Sequence, residues 1–554
     1  MALFIAPLLA DYLVLMGVAV GVSITAGLFV RYTILPSTPA EALEEDSIFE
    51  RVIPCDCDCK CDGMPAPTPD EPSSDEEEGN STISSEISSF HDSGHASPSA
   101  AEQQREPHSL ETSLKLLSEG RASELRNGNI VQLVSAGKLP LHALERVVGD
   151  AARAVRIRRA VLSLILLEQQ QDDGYYRSHR ALSGLPHRNY DFDAVAGRCA
   201  ENVIGYVPVP VGVAGPLAVD GRRVMVPMAT TEGALVASTS RGAKALNHAR
   251  GGLGVQTELA DDGMTRAPVL GFPSLRTAAQ AKRFLDSPPG QALLADAFDA
   301  SSRFGRLVHA TSTIVGSRLY VRFKARTGEA MGMNMVGKGV ALALDRLRGA
   351  AAAQQCPALA EMHVLSLSGN VCADKKAAAV NWIHGRGKSV CAEAVVPADA
   401  VRRVLKCEVA ALVHVSTHKN LVGSAVAGSS VGGFNAQAAN IVAAVFLATG
   451  QDIAQVVASS NCLTLMEETP SGDLKASVTM PSLEVGTVGG GTGLAPQSAM
   501  LELIGARGAD RADGSNAAQL AKTIAAAVLA GELSLCSALV TQDLIQSHMA
   551  LNRK

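Results

Sequence analysis

Residues 12–30 form an apolar run that contains no charged side chain. A run of this length and composition is sufficient for one helix across the hydrocarbon core of a membrane. The alternative is a cleaved signal peptide, but no Lys or Arg precedes the run, and Asp11 stands where such a peptide carries positive charge. The pattern predicts a membrane anchor over residues 1–35. Arg31 follows the span directly, so we expect the rest of the chain in the cytosol, with the endoplasmic reticulum as the default membrane.

A polar segment separates this anchor from the rest of the chain. Residues 36–108 are rich in Ser, Glu, Asp and Pro, the composition of a disordered acidic linker. A zinc site, lipidation and the absence of any role are the three interpretations of its alternating cysteines, Cys55, Cys57, Cys59 and Cys61. Structural zinc sites use paired Cys-x-x-Cys spacing, so we expect no metal here. The other cysteines are scattered singly, which is typical of a reducing compartment.

From residue 109 onward, helical patterns rich in Ala, Leu and Val alternate with short β-branched runs. Leu144, Val148 and Val155 belong to an apolar series at helical spacing in the opening segment, 109–200. The prolines of residues 205–216 favour extended chain, and strand-like runs follow at 319–323 and 363–365. These patterns predict a mixed α/β (α+β) fold. The net charge of −6 argues against a nucleic-acid-binding surface.

The most concentrated polar stretch in this part is the loop 367–378. It brings together a hydroxyl, an amide, a carboxylate and two adjacent ammonium groups, from Ser368, Asn370, Asp374, Lys375 and Lys376. One interpretation is a solvated turn with a cluster of charges. The other is a pocket whose cations and hydrogen-bond donors bind an anionic or carbonyl-bearing substrate.

Other polar groups in apolar surroundings also have both structural and functional interpretations. Glu232 precedes a predicted helix and either complements the helix dipole or takes part in chemistry. Asp452 interrupts an apolar helical pattern, and a buried Asp needs a partner such as a Lys. His548 follows a long Ala/Leu helix, where a lone histidine is usually structural. Candidate ligand-binding groups are Ser238, Arg241 and Lys244 on one helix side, Arg266, the pair Ser302-Arg303, the Met-rich segment 331–335 and the glycine run 486–492.

Taken in order, these motifs resemble the 3-hydroxy-3-methylglutaryl-coenzyme A (HMG-CoA) reductase family in its membrane-anchored eukaryotic form. The resemblance covers residues 120–553, although members of the family commonly carry more than one membrane span. The segments that carry it are ENVIGY at 201–206, ATTEG at 229–233, DGMTR at 262–266, MGMN at 331–334, SGN at 368–370, DKK at 374–376, KNLVGSA at 419–425, GQD at 450–452, the glycine run and SHM at 547–549.

The resemblance implies an oxidoreductase that reduces HMG-CoA to mevalonate and free coenzyme A with two NADPH and no metal, the committing step of isoprenoid and sterol biosynthesis. Lys375 would stabilise the oxyanion that forms at the thioester carbonyl. Glu232 would donate a proton to that oxygen and would be kept protonated by burial and by Asp452. Asp452 would lie between Glu232 and Lys375, and His548 would protonate the coenzyme A thiolate.

The resemblance also implies three sets of binding residues. The substrate carboxylate and hydroxyls would contact Arg266, Ser368, Asn370, Lys376, Lys419 and Asn440. The coenzyme A phosphates would contact Ser238, Arg241 and Lys244. NADPH would contact Ser302, Arg303, Glu329, Met331, Gly332, Met333, Asn334, Gly489, Gly490, Gly491 and Thr492.

The architecture implied by the family has four parts after the linker. These are an N-terminal helical domain at 109–200, a large substrate domain with a central helix at 201–266 and 379–554, a small ferredoxin-like NADP-binding domain at 267–366, and the catalytic loop at 367–378. The sites would be completed across the interface of a homodimer or of a tetramer made of two dimers, with residues 201–206 contributing to assembly.

Three positions depart from the family pattern, and three rival functions stay open. Glu329 stands in place of an Asp, Ser240 in place of an Asn, and His142 where relatives can carry an aromatic residue, so we expect weaker ligand contacts there. The rivals are a non-catalytic binder of acyl-coenzyme A, a hydrolase that uses Ser368 with Lys375, and a family member acting on another acyl-coenzyme A.

Overall fold

The computed structural model describes residues 108–173, 179–509 and 514–541. The predicted membrane span, the linker with its cysteines, and His548 lie outside these residues. The helices are α1 (Leu110–Ser118), α2 (Asn127–Ser135), α3 (Leu144–Val148), α4 (Ala151–Asp173), α5 (Leu235–Leu246), α6 (Leu275–Leu285), α7 (Pro288–Asp299), α8 (Met333–Leu347), α9 (Ala350–Gln355), α10 (Ala379–His384), α11 (Ala398–Ala400), α12 (Val409–Ser416), α13 (Ser424–Val426), α14 (Ala438–Thr449), α15 (Val456–Ser459), α16 (Ala495–Ile504) and α17 (Ser515–Thr541).

The strands alternate with these helices, which confirms the predicted mixed α/β fold. They are β1 (Val211–Val219), β2 (Arg222–Ala229), β3 (Gln256–Arg266), β4 (Val269–Gly271), β5 (Arg306–Val315), β6 (Arg318–Arg326), β7 (His363–Ser366), β8 (Gly387–Val396), β9 (Gly433–Phe434), β10 (Cys462–Glu468) and β11 (Leu474–Leu483). The predicted runs at 319–323 and 363–365 fall in β6 and β7, and the run at 205–216 enters β1 only from Val211 onward. Two segments, Val401–Leu405 and Thr417–Gly423, are π-helical.

A mixed sheet links the segments that come before and after the predicted cofactor domain. Its order is β7-β4-β6-β3-β8-β11-β10-β9, with β5 pairing β6, while β1 and β2 form a separate antiparallel hairpin. The long strand β3 joins the part of the sheet formed by β8, β11, β10 and β9 to the part formed by β6, β4, β7 and β5. Residues 256–263 of β3 pair with β8, and residues 264–266 pair with β6. A strand that changes partners along its length makes the sheet continuous across the predicted boundary at residue 266.

Helix α17 is the centre of the largest hydrophobic core. Leu520, Ile524, Leu529 and Leu533 are fully buried in it, together with β8, β11 and α14 side chains. Of the helices in the described ranges, α17 alone is long and apolar enough to cross a membrane, but 83% of its most apolar stretch is buried inside the protein. Its apolar character is therefore that of a core helix. A second core runs from Met264 to Met362, and a third joins α1 through α4.

Candidate active site

The loop 367–378 lies between β7 and α10 in an unusual backbone conformation. Asn370, Ala373 and Lys375 have φ angles of 63°, 59° and 57°. Residues other than glycine rarely adopt this left-handed backbone conformation, and each such residue costs on the order of 1–3 kcal/mol. Hydrogen bonds to the neighbouring β3–β4 segment hold the loop: the Gly369 N–H donates to the Ala267 carbonyl, and the Thr265 hydroxyl donates to the Cys372 carbonyl. The sequence thus predicted correctly a polar loop held between packed elements.

The conformation of this loop directs Lys375 toward Asp452. The ammonium Nζ lies 3.1 Å from the Asp452 carboxylate Oδ2, and both side chains are partly exposed. The predicted lysine partner of Asp452 is therefore present, but the predicted burial of Asp452 is wrong, because its side chain is 35% exposed. The predicted location of Asp452 inside a helix is wrong, because Gly450 ends α14 in the left-handed conformation. Asp452 instead begins the short 3₁₀ turn that follows, and its carboxylate accepts the Ala454 N–H.

Asp374, the residue before Lys375, points the other way, into the protein. Its Oδ1 accepts hydrogen bonds from Gln455 Nε2 at 2.8 Å and from Arg386 Nη2 at 3.1 Å. Arg266 Nη1 is 4.0 Å from the other oxygen. Burial alone would raise the Asp374 pKa, but the Gln455 hydrogen bond and the charges of Arg386, Arg266 and Lys375 outweigh it and lower the pKa. Asp374 is therefore an ionised anchor for the loop.

Arg386 and Glu484 form a buried ion pair behind this anchor. Both side chains are fully enclosed. Burial raises the Glu484 pKa to about 7, against the opposing effect of the Arg386 charge, and the nearby Asp374 and Asp452 raise it further. Sequence reasoning missed both residues. The signals were a charged residue between two glycines at 385–387 and a carboxylate at the end of the apolar strand β11.

Glu232 lies apart from the loop, at the other end of α14. Its Oε1 accepts a hydrogen bond of 3.3 Å from Asn440 Nδ2, in the first turn of that helix. Helix α14 has 12 residues, so it is about 18 Å long, with Asp452 beyond its far end. The predicted burial of Glu232 is wrong for a single chain, where the residue is exposed. Among the described residues no hydrogen bond or ion pair joins Glu232 to Asp452 or Lys375.

The Asn440 end of α14 is itself held by a buried carboxylate that the sequence did not indicate. Glu532, on α17, accepts the backbone N–H groups of Ala436 and Gln437 at 2.7 and 2.6 Å. It also accepts the Thr464 hydroxyl at 3.1 Å. Burial raises the Glu532 pKa although these hydrogen bonds oppose the shift. The turn that leads into Asn440 is thus fixed to the central helix.

The structure brings two of the predicted cofactor segments together. Residue 488 of the glycine run pairs with Ala330, next to the 331–334 segment. A Cβ on Gly486 would lie 2.9 Å from the Ala330 carbonyl carbon, and one on Gly450 would lie 2.8 Å from the Thr492 nitrogen. The glycines are therefore required for close backbone packing that connects the Asp452 turn to the 331–334 segment.

Glu329, one of the predicted cofactor residues, is buried and caps a helix. It is only 5% exposed, and its carboxylate accepts the N–H groups of Asn516 and Ala517 at 3.1 and 2.7 Å. These groups belong to the first turn of α17, where a carboxylate satisfies free N–H donors and complements the helix dipole. The carboxylate of Glu329 is therefore committed to capping the central helix.

Thr492 is also buried, and Gly491 packs against the backbone of Gly450, whereas the other predicted cofactor residues are more accessible. Gly332 begins α8 with a φ of 93°, Met331 and Met333 are partly buried, and Asn334 is exposed. The Ser302 hydroxyl accepts the N–H groups of Phe304 and Gly305. The exposed Arg303 guanidinium lies 5.5 Å from the centre of the Phe304 ring. A Cβ on Gly489 or Gly490 would meet no atom within 4 Å, so backbone is open there.

The predicted coenzyme A residues lie on α5, where it packs against α17. Ser238 and Ser534 hydroxyls are 2.9 Å apart, and Arg241 donates to the Ser534 carbonyl at 2.7 Å and to the Ser537 hydroxyl at 3.1 Å. Lys244 is exposed one turn further on. The hydroxyl of Ser240, at a position of departure from the family, accepts the Gly215 N–H at 3.3 Å.

The other predicted substrate residues are distributed around the loop and the π-helical segment. Lys376 is exposed and donates to the Asp374 carbonyl at 3.1 Å, and Lys419 is exposed within Thr417–Gly423. The Ser368 hydroxyl lies 3.6 Å from the Cys372 sulfur. In the described ranges Ser368 makes no hydrogen bond to Lys375, whose ammonium is paired with Asp452. This arrangement gives no support to a hydrolase in which Lys375 activates Ser368.

The fold and the site define a mixed α/β protein with a lysine–carboxylate pair beside a glycine-rich segment. The model of the hydroxymethylglutaryl-coenzyme A reductase family matches residues 154–553. The chain therefore belongs to this family, as its motifs predicted.

Relatives with the family's name match most of this chain. The 3-hydroxy-3-methylglutaryl-coenzyme A reductase of Cyberlindnera jadinii is 54% identical over 457 residues, which are 82% of this chain and 47% of the relative. That of Schizosaccharomyces pombe is 54% identical over 450 residues, 80% of this chain and 40% of the relative. The chain thus spans less than half the length of these relatives.

A solved structure of a class II reductase from Streptococcus pneumoniae, bound to NADPH in open conformations, is also similar. It is 21% identical with a TM-score of 0.49, and the match covers 68% of this chain and 96% of that chain.

Proposed function

We propose that this chain catalyses the NADPH-dependent reduction of (S)-HMG-CoA to (R)-mevalonate and free coenzyme A. The observation that carries the proposal is the Lys375–Asp452 ion pair, held by a strained loop next to the segment 331–334 and the glycine run. The names of the relatives support the same reaction. The remaining alternative is a family member that acts on another acyl-coenzyme A. Comparing kcat/KM for HMG-CoA with kcat/KM for other acyl-coenzyme A thioesters distinguishes the two.

Lys375 supplies the positive charge that the reaction needs. Negative charge develops on the thioester oxygen as hydride reaches the carbonyl carbon, and a cation fixed in advance stabilises that charge without reorganisation. Asp452 fixes the ammonium at 3.1 Å. Glu232, oriented by Asn440, donates the proton to the carbonyl oxygen in the aldehyde step. His548 protonates the departing coenzyme A thiolate.

The residues present fit an NADPH, which supplies the hydride when bound. Arg303 and Ser302 offer an exposed cation and a hydroxyl to the 2′-phosphate. The open backbone at Gly489 and Gly490 allows close approach beside the 331–334 segment. Arg266, Ser368, Asn370, Lys376, Lys419 and Asn440 bind the substrate, while Ser238, Arg241 and Lys244 bind coenzyme A. We expect Glu329 to act only through α17.

Two chains complete each site in this proposal. Glu232 and the Lys375–Asp452 pair lie at opposite ends of α14, so one chain does not bring them together. Exposed apolar side chains surround the Asp452 end, with Ile453 47% and Val457 50% exposed. Burial against a second chain would remove these groups from water and enclose Glu232. A dimer, or a tetramer of two dimers, follows.

Mixing two inactive variants tests the shared site. Glu232→Gln chains mixed with Lys375→Ala chains, dissociated and reassembled together, should recover about a quarter of wild-type activity, since mixed dimers contain one intact site. No recovery from mixed dimers of confirmed composition would place both residues in a site formed by one chain.

The anchor and location belong to the same proposal. The uncharged run at 12–30 and the following Arg31 support a single span in the endoplasmic reticulum membrane with the catalytic part in the cytosol. Protease treatment of sealed microsomes should remove the catalytic part from the outside. Protection of that part until detergent is added would reverse the orientation.

The activity itself is tested by incubating the purified chain, in detergent, with HMG-CoA and NADPH. Nucleotide oxidation should depend on HMG-CoA and fall by a factor of about 100 or more in Lys375→Ala. Lys406→Ala is the matched control, because Lys406 is another exposed lysine in the left-handed conformation, with a φ of 62°. Oxidation that survives in Lys375→Ala, or that falls equally in both variants, would contradict the assigned role.

A further inference from the structure

Arg386 is an enclosed junction between separate parts of the proposed site. It lies on the short link between α10 and β8 and is 0% exposed. Its guanidinium contacts groups from five segments of the chain: the Thr265 hydroxyl at 3.1 Å, Gln455 Oε1 at 3.3 Å, Met333 Sδ at 2.9 Å, Asp374 Oδ1 at 3.1 Å and the Glu484 carboxylate. These segments are β3, the turn after Asp452, α8, the catalytic loop and the end of β11.

A charge buried so completely needs fixed partners. Removing a guanidinium from water is costly, and only paired carboxylates and well-placed acceptors offset that cost. The planar fork of arginine also fixes the angles between its partners, which a lysine cannot do. Arg386 therefore sets the relative positions of the groups around it, and it is not simply a stabilising charge.

Glu484 is the fully enclosed member of this arrangement. In the described part of the chain its carboxylate oxygens have no hydrogen-bond donor other than the Arg386 guanidinium. Two residues later the glycine run begins, and Gly486 packs against the backbone at Ala330. Asp374, the other carboxylate on Arg386, is directly followed by Lys375. Arg386 thus links the glycine run and Met333 on one side to the catalytic lysine on the other.

We propose that Arg386 and Glu484 form a positioning pair that couples the cofactor segments to the catalytic loop. The pair acts through Asp374 and touches neither substrate nor the reacting atoms. It transmits the position of the 331–334 segment and the glycine run to Lys375, so the oxyanion site is assembled only when those segments are in place. The inference rests on the proposed reductase function for its kinetic readout but not for its spectroscopic one.

The test compares Glu484→Gln with Asp473→Asn in the full chain. Asp473 is a matched control because it is also a buried carboxylate paired with an arginine, Arg250, and it lies at the opposite end of β11. Turnover and the KM values are measured with HMG-CoA and NADPH. Acrylamide quenching of Trp382, the only tryptophan, reports the loop, since Trp382 lies on α10 between the loop and Arg386. Thermal unfolding checks that each variant is folded.

Glu484→Gln should lower kcat by about 10- to 100-fold with both KM values within about threefold, because the catalytic lysine is misplaced while binding groups remain. It should also increase the quenching of Trp382. Asp473→Asn should leave kcat and quenching at wild-type values. Arg386→Lys should behave like Glu484→Gln, because the charge remains but the fork is lost.

Normal kcat and normal quenching in a folded Glu484→Gln would overturn the positioning pair and leave the reductase proposal intact. An equal loss of kcat in Asp473→Asn would overturn it too, because the effect would then be general to stability. A wild-type chain without reductase activity would refute the proposed function. Increased Trp382 quenching in Glu484→Gln alone would still support the pair in that case.

Discussion

The crossing of α5 and α17 predicts a large effect of a single added methyl group. Gly242 on α5 faces the backbone of Ala530 on α17. A Cβ at Gly242 would lie 2.6 Å from the Ala530 carbonyl carbon and 2.9 Å from its Cα, where ordinary contact begins at 3.4 Å. These are backbone atoms of a buried helix and cannot rotate away. The Ala530 carbonyl oxygen lies closer still, so in Gly242→Ala the two helices must separate.

The expected magnitude combines three terms. Overpacking costs about 1–3 kcal/mol or more. The shift also strains the hydrogen bonds of Ser238 and Arg241 to Ser534, now 2.9 and 2.7 Å long. Alanine recovers about 0.5–1 kcal/mol of helix propensity relative to glycine. We expect Gly242→Ala to lower the free energy of unfolding by about 2–3 kcal/mol.

Urea denaturation followed by circular dichroism measures this change. Gly337→Ala is the control, because Gly337 lies within α8 and a Cβ there meets nothing within 4 Å. The control should be neutral or more stable by up to about 1 kcal/mol. A Gly242→Ala protein as stable as Gly337→Ala would refute the close crossing of the two helices.

Three further predictions concern charged side chains. The pKa of Glu484 is raised from 4.5 to about 7 in the folded protein, so the folded state favours the protonated carboxyl. This stabilisation is fully present below pH 4.5 and is lost as the pH rises through 7. Between pH 4.5 and 7 the free energy of unfolding of the wild type should fall by about 3 kcal/mol relative to that of Glu484→Gln. Urea denaturation at several pH values measures both, and an equal pH dependence in the two proteins would contradict this. Glu329→Gln should lower the free energy of unfolding by about 1–2 kcal/mol, because it weakens the cap of α17. A changed KM for the nucleotide with unchanged stability would instead show that Glu329 contacts the cofactor. Arg303→Ala should remove the preference for NADPH over NADH in kcat/KM, and an unchanged ratio would exclude Arg303 from the 2′-phosphate site.

Local sequence signals were enough for the loop, because Gly369 and the surrounding polar side chains exclude a regular element. For Asp452 they indicated only that the partner is a cation such as a lysine. The choice of Lys375 came from the family resemblance. The helix boundary at Asp452 was also available, since a glycine commonly ends a helix in the left-handed conformation. The apolar stretch 441–448 and the mostly apolar stretch 453–458, which flank the polar segment 449–452, obscured it.

The contacts that the sequence did not indicate depend on partners distant in sequence. Glu329 caps a helix through Ala517, 188 residues later, and Arg386 meets Glu484 only because β8 and β11 pair. No local pattern specifies such contacts. The exposure of Glu232 has a different cause, because a single chain shows only one face of a site that we propose to be shared.

The stoichiometry of the reaction tests the central proposal most directly. The full chain, given HMG-CoA and excess NADPH, is followed for nucleotide oxidation and free thiol in the same sample, with mevalonate identified at the end point. We predict two NADPH oxidised for each thiol released, with both signals lost in Lys375→Ala. Thiol release without nucleotide oxidation would contradict the proposal and indicate a hydrolase.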